Sequence, residues 1–279
     1  MINYESDYLS LCQSVCALGE TRASRVGNTH QLFGTMLRIS SLMYNRFPIL
    51  TTRKMHPRGV FGELAAFLKG ATELSEFQAE GCNYWDDNAH KWTGNLGRTK
   101  DKYKVGRIYG AQWRNWEGDD EFQGLDQIYE LVKGIKTNPT SRRHLLTTYN
   151  PGELQLGCLP PCHLLAQFNV RAPFLDCMVT MRSVDLCLGL PSDVVLYAAL
   201  LLLVAKDTGY VAGELTFSMG DTHVYANHRD MLYDQQLREP GLEPKFVLDP
   251  DASLDNFSAD DITLINYNPQ PAIKYALNT

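Results

Sequence analysis

The chain has 279 residues, 44% of them hydrophobic, and a formal net charge of −6. That length supports one large core, and the acidic balance excludes a global basic field for holding a nucleic-acid backbone. An anionic ligand has to be met by a local arginine cluster instead.

Residues 4–18 place apolar side chains at helical spacing and predict an amphipathic helix. The acidic start has no basic n-region. With seven cysteines at no framework spacing, it points to free thiols in a reducing cytoplasm. Residues 21–29 (TRASRVGNT) read as a polar loop, and Arg25-Val26-Gly27 within it suits a phosphate. Residues 31–39 alternate like a strand, and 47–52 form a second extended piece. Residues 58–68 read as a helix with Gly70 just past its end. Glu63 lies beside the apolar stripe of that helix, at a core rim or in a cleft. In a cleft its carboxyl would titrate high and could shuttle protons.

Residues 82–87 cluster aromatics, Trp85 included, with acids. Residues 100–104 read as a polar loop, and 126–135 as an amphipathic helix. Residues 138–143 turn into the paired Arg142 and Arg143, and 144–149 read as a strand. Cys158, Cys162 and His163 lack a second pair at zinc spacing, so no metal is expected. The run at 194–205 (VVLYAALLLLVA) is apolar all round and shorter than the ~20 residues that span a bilayer. It predicts a buried helix and no membrane partner, with Asp193 placed to cap its start. Residues 214–219 read as a strand, 220–228 as a turn carrying two histidines, 231–237 as a helix, and 262–279 as an aperiodic tail. Helices and strands mix without strict alternation, which predicts an α+β fold.

Several long motifs occur in order: IYGAQWR from Ile108, SRR at Ser141, LPPCH around Cys162, RSVDLCLGLP from Arg182, GDTHVYANH from Gly220 and YNPQPAIK near the end. Together they resemble the thymidylate synthase family along nearly the whole chain. The resemblance implies a single catalytic domain over 1–279 whose large mixed sheet, flanked by helices, lies at a homodimer interface. It implies a pyrimidine deoxynucleotide and 5,10-methylenetetrahydrofolate as ligands, with nucleic acid not among them. Cys162 resembles the nucleophile, Tyr109 the tyrosine beside it and Glu63 the proton-relay acid. Arg25 and Arg182 resemble phosphate ligands. Arg142 and Arg143 resemble the pair that reaches the partner's phosphate site. Ser183, Asp185, His223 and Tyr225 match nucleotide-site positions. His56, Trp85, Asp185, Leu188, Gly189 and Asn278 match the folate side.

A thiolate adding to C6 of the pyrimidine makes C5 nucleophilic towards the one-carbon unit. Nearby arginines are expected to lower the pKa of Cys162. Hydride then yields a methyl group and dihydrofolate; water yields a hydroxymethyl group.

Asp193 departs from the family pattern, where asparagine follows Gly-Leu-Pro-x. An amide suits uracil, whereas a carboxyl accepts from the 4-amino group of cytosine and, protonated, donates to N3. Phage deoxycytidylate hydroxymethylases are similar in carrying aspartate here. The substrate is therefore read as dCMP and the product as 5-hydroxymethyl-dCMP. Asn88 and Ser192 stand where the family has large aromatics, which favours entry of water. Trp85 and the QPAIK tail favour its exclusion, so reductive methylation of dCMP is the alternative. Synthesis of dTMP, or a non-catalytic nucleotide- or RNA-binding role, are further alternatives.

Overall fold

The structure is a computed structural model that describes residues 4–24, 26–95, 103–117 and 123–278, apart from the side chains of 93–95. Its elements are α1 (Tyr4–Leu18), β1 (Glu20–Ser24), β2 (Gly27–Ile39), α2 (Pro57–Leu68), α3 (Leu74–Ala79), α4 (Asp86–Asn95), α5 (Tyr109–Arg114), α6 (Gln127–Thr137), β3 (Leu145–Thr147), β4 (His163–Arg171), β5 (Phe174–Asp185), α7 (Gly189–Thr208), β6 (Val211–Tyr225), α8 (Arg229–Gln236), β7 (Lys245–Leu248) and β8 (Ile262–Ile265).

Six strands make one sheet in the order β1-β2-β6-β5-β4-β3. β5 and β6 run parallel and the other neighbours antiparallel, so the sheet is mixed and the class is α+β. The connection between the parallel pair is α7, because parallel strands need a long crossover. α7 packs on β5, β6 and α2, and fourteen of its residues are buried. This explains a helix without a polar face: it meets protein on every side. The buried apolar residues of sheet and helices form one contiguous cluster.

α7 is longer than the apolar run predicts. It starts at Gly189, takes Pro191 into its first turn, where no N–H is required, and ends at Gly209 with φ +80°. Its length and apolarity match a membrane span, but 78% of that window is buried inside the fold. Asp193 consequently lies inside the helix and does not cap it, and its side chain is free for another partner.

Three other expectations are corrected. Residues 21–24 and 27–29 are paired strand, in β1 and β2, and not loop, because polar residues pair readily where both strand faces are open. β6 continues through His223 to Tyr225. The aperiodic tail contains β8, which pairs with β7. Residues 47–52 are extended but unpaired in a sheet. They are held by the buried Glu5, whose carboxylate accepts from the backbone N–H and hydroxyl groups of Thr51 and Thr52 at 2.6–3.0 Å.

Candidate active site

Cys162 stands where the chain enters β4. Its backbone N–H donates to the Tyr109 hydroxyl at 2.8 Å. Tyr109 reaches it because α5 lies hard against α2: a Cβ on Gly110 would come within 2.3 Å of the Phe67 carbonyl oxygen. Arg182 projects from β5, whose backbone N–H donates to the Cys162 carbonyl. Its guanidinium donates to the carbonyls of Pro160 and Pro161 at 2.8 Å each, which sets it 3.7 Å from the Cys162 sulfur. The prolines thus hold the cation against the thiol.

Burial nevertheless pushes the Cys162 thiol up. Arg182 opposes this, Asp193 adds to it, and the Tyr109 hydroxyl lowers it slightly. The expectation of a lowered pKa is therefore corrected: one partly exposed arginine does not outweigh desolvation in the resting protein.

His163, the next residue in the chain, faces α7. Its Nε2 is 2.8 Å from Asp193 Oδ1, and its Nδ1 is 3.3 Å from the Tyr197 hydroxyl. Asp193 and Tyr197 are four residues apart on one helix face, so both meet the same ring. Neither His163 nor Tyr197 was among the site residues read from the sequence. The signal for them was the histidine next to the nucleophile and the i, i+4 spacing after Asp193.

Glu63, on α2, accepts from Trp85 Nε1 at 2.8 Å. Burial, and then the charge of Asp193, raise its carboxyl to about 7, while Trp85 and His163 pull the other way. That value lets one carboxyl give and take protons near neutrality. The Trp85 ring is itself 7% exposed and packs against Phe67, Phe77 and Tyr109. It holds Glu63 and offers little open surface for stacking.

Asp185 ends β5. Its Oδ1 accepts from the backbone N–H groups of Cys187 at 2.8 Å and Leu188 at 3.4 Å. Among the described residues its Oδ2 has no hydrogen bond, so it can accept from an N–H of a pterin ring. That donor set fits the folate expected here. Gly189 lies between the two acids: a Cβ there would sit 3.6 Å from Asp185 Cβ and 3.8 Å from Asp193 Oδ2. Ser183 pairs in register with Asp221 and Asp185 with His223. His223 Nδ1 lies 2.9 Å from Asp221 Oδ1, which leaves Nε2 for a ligand, and the Tyr225 ring packs beside it. Asn278 Oδ1 accepts from Asn227 at 3.1 Å, so the tail lies beside β6.

Among the described residues, Arg142, Arg143 and His56 make no hydrogen bond or ion pair with the groups around Cys162. Arg142 and Arg143 are exposed on the turn before β3, with no acid partner among the described residues. His56 is exposed just ahead of Pro57 at the start of α2 and makes no capping bond. Arg25 lies outside the described residues. Cys158 and Cys162 form no metal cluster with His163 among the described residues.

A half-buried thiol beside an arginine, with a histidine–carboxylate pair and a carboxyl that titrates near neutrality close by, is an arrangement suited to a transferase that works through a cysteine adduct. The model of the family described as "Thymidylate synthase" matches residues 6–279. Thymidylate synthases from strains of Coxiella burnetii are 38% identical over 270 residues, covering 96% of this chain and 97% of theirs. The bifunctional dihydrofolate reductase-thymidylate synthase of Leishmania major is 40% identical over 283 residues, covering 97% of this chain and 54% of that one. The chain belongs to the thymidylate synthase family, whose transferases use 5,10-methylenetetrahydrofolate as one-carbon donor to C5 of a nucleotide.

Proposed function

We propose that this chain transfers a one-carbon unit to C5 of dCMP and releases 5-hydroxymethyl-dCMP. The observation that carries the reading is the 2.8 Å contact of His163 with Asp193. With the Tyr197 hydroxyl donating to Nδ1, the proton of the ring sits on Nε2 and goes to Asp193 Oδ1. An asparagine held the same way would give its oxygen to His163 and turn its NH2 to the base. That NH2 donates, and so matches O4 of uracil. An aspartate turns a second oxygen to the base, which accepts, and so matches the 4-amino group of cytosine. The anchored histidine thus converts one side-chain atom into a choice of base.

The other roles follow from placement. Cys162 adds to C6, and Arg182 stabilises the thiolate as the nucleotide phosphate approaches. Glu63 moves protons at the C4 side of the base. The folate supplies the one-carbon unit and, on the methylating branch, the hydride. Ser192 donates to the Leu188 carbonyl at 3.2 Å, beside Asp193, and keeps a small polar group where water can enter. His223 and Tyr225 hold the sugar, while Asp185, Leu188, Gly189 and Asn278 hold the folate.

The proposed assembly is a homodimer, in which Arg142 and Arg143 reach the partner's phosphate site. Support comes from the large apolar side chains that β2 leaves uncovered, Phe33 at 83% exposure and Met36 at 55%. The seven free cysteines suit a cytoplasmic setting.

The deciding experiment incubates the protein with methylenetetrahydrofolate and dCMP or dUMP. Mass spectrometry identifies the nucleotide and absorbance follows dihydrofolate. Hydroxymethyl-dCMP without dihydrofolate is expected. Methyl-dCMP with stoichiometric dihydrofolate would instead show that water is excluded. Product from dUMP alone would overturn the cytosine reading.

A further inference from the structure

One cluster is left unexplained by this chemistry. A carboxylate oxygen of Asp185, the sulfur of Cys187 and a ring nitrogen of His228 all lie within 4.8 Å of one another. Asp185 ends β5, Cys187 sits in the link to α7, and His228 lies in the short turn after β6. The parallel pairing of β5 with β6, with Asp185 opposite His223, brings the three together.

The state of His228 is informative. The ring is fully buried, and its Nε2 is 2.7 Å from the Ala276 carbonyl oxygen. A carbonyl can only accept, so this shorter contact puts the proton on Nε2, although the Asn278 amide nitrogen lies 3.1 Å from the same atom, and Nδ1 keeps a bare lone pair. Among the described residues Nδ1 has no hydrogen-bond partner. A histidine with one N–H fixed on a backbone carbonyl and the other nitrogen bare is arranged as metal-ligating histidines are. Cys187 is a free, fully buried thiol, and Asp185 retains Oδ2.

We propose that Asp185, Cys187 and His228 bind a soft divalent cation of the zinc class. Nitrogen, sulfur and oxygen from three residues are the donor types that zinc takes, and the partly exposed Asp185 is the side from which a water could complete the set. Hard cations such as magnesium do not choose thiolate and imidazole. The Arg53 guanidinium donates to the Cys187 carbonyl, so one fixed positive charge lies near the two anionic ligands. On binding, the thiol proton leaves to solvent and the metal–sulfur bond takes its place. The cation would take the Asp185 oxygen assigned above to the folate, and would tie β5 to the turn on which the C-terminal tail rests. Bound metal therefore inhibits turnover. That consequence rests on the folate reading of Asp185, whereas the binding does not.

The test uses the full chain, freed of metal by chelation and titrated with Co2+. A near-ultraviolet sulfur-to-cobalt band saturating at one equivalent per chain, and displaced by Zn2+, is expected. It should vanish in Cys187→Ser and persist in Cys162→Ser. No band in the parent protein, or a band lost with Cys162 and kept without Cys187, would overturn the site. Asp185→Asn retains the thiol and the backbone contacts, and should weaken cobalt binding at least tenfold; unchanged affinity would also overturn it. Zn2+ should raise the KM for folate in the parent and not in Cys187→Ser. Cobalt binding as expected with an unmoved KM would leave the metal site standing and remove Asp185 from the folate site.

Discussion

At the scale of single residues, the proposed selectivity rests on one atom of Asp193. Asp193→Asn keeps the contact to His163 but reverses the polarity offered to the base. We expect kcat/KM for dCMP to fall by about a hundredfold or more, with activity on dUMP gained, since a polar group left unpaired in a closed site is strongly penalised. Steady-state kinetics on both nucleotides checks this, and an unmoved preference would refute the role given to Asp193. Glu63 makes a second prediction. Its carboxyl titrates at about 7 in the folded chain against an ordinary 4.5. Below 4.5 both folded and unfolded chains hold the proton, and the group costs nothing. As pH rises towards 7 the unfolded chain releases it first, so stability falls through that window. Glu63→Gln removes this dependence. Its melting temperature should gain on the parent between pH 4.5 and 7, and parallel curves would show that the carboxyl is not held protonated.

At the scale of elements, the contact of Tyr109 with Cys162 depends on the close approach of α5 to α2. Gly110 permits that approach, since any Cβ would collide with the Phe67 backbone at 2.3–2.7 Å. Gly110→Ala should push α5 outward, carry Tyr109 away from Cys162, and lower stability by roughly 1–3 kcal/mol through overpacking. Turnover should fall further than the folded fraction does, as read by denaturant melts alongside kcat. Equal losses would mean that Tyr109 has no part in the chemistry. The same scale explains why α7 is apolar on all sides. It carries Asp193 and Tyr197 on one turn, and its burial between sheet and α2 holds both against His163.

At the scale of the whole molecule, the sheet has one face on α7 and one that remains open. Phe33, Met36 and Met178 stand on the open strands at 83%, 55% and 37% exposure, and Arg182 rises among them. Covering this face with a second copy would bury apolar surface and could bring Arg142 and Arg143 to the partner's phosphate. Phe33→Asp should yield a monomer by sedimentation and should weaken nucleotide binding, although Phe33 is not assigned to the site. A dimer that persists in Phe33→Asp would place the interface elsewhere.

The sequence by itself determined the kinds of chemistry present and the helices that carry a clear period. The Cys162 thiol with Arg182 as a candidate neighbour, the departure at Asp193 and helices such as α1 and α6 were all legible, because each is written in short stretches of sequence. Only the tertiary structure decided which groups meet. His163 with Asp193 and Tyr197, Trp85 with Glu63, and Asp185 with Cys187 and His228 are joined by strand register and helix packing, which no local pattern encodes. The polar hairpin of β1 and β2 and the short β8 were likewise hidden, because their pairing is set by a partner strand and not by alternation. The titration of Cys162 was misjudged for the same reason. Sequence shows the neighbouring arginine, but the burial that outweighs it exists only once the fold has closed around the thiol.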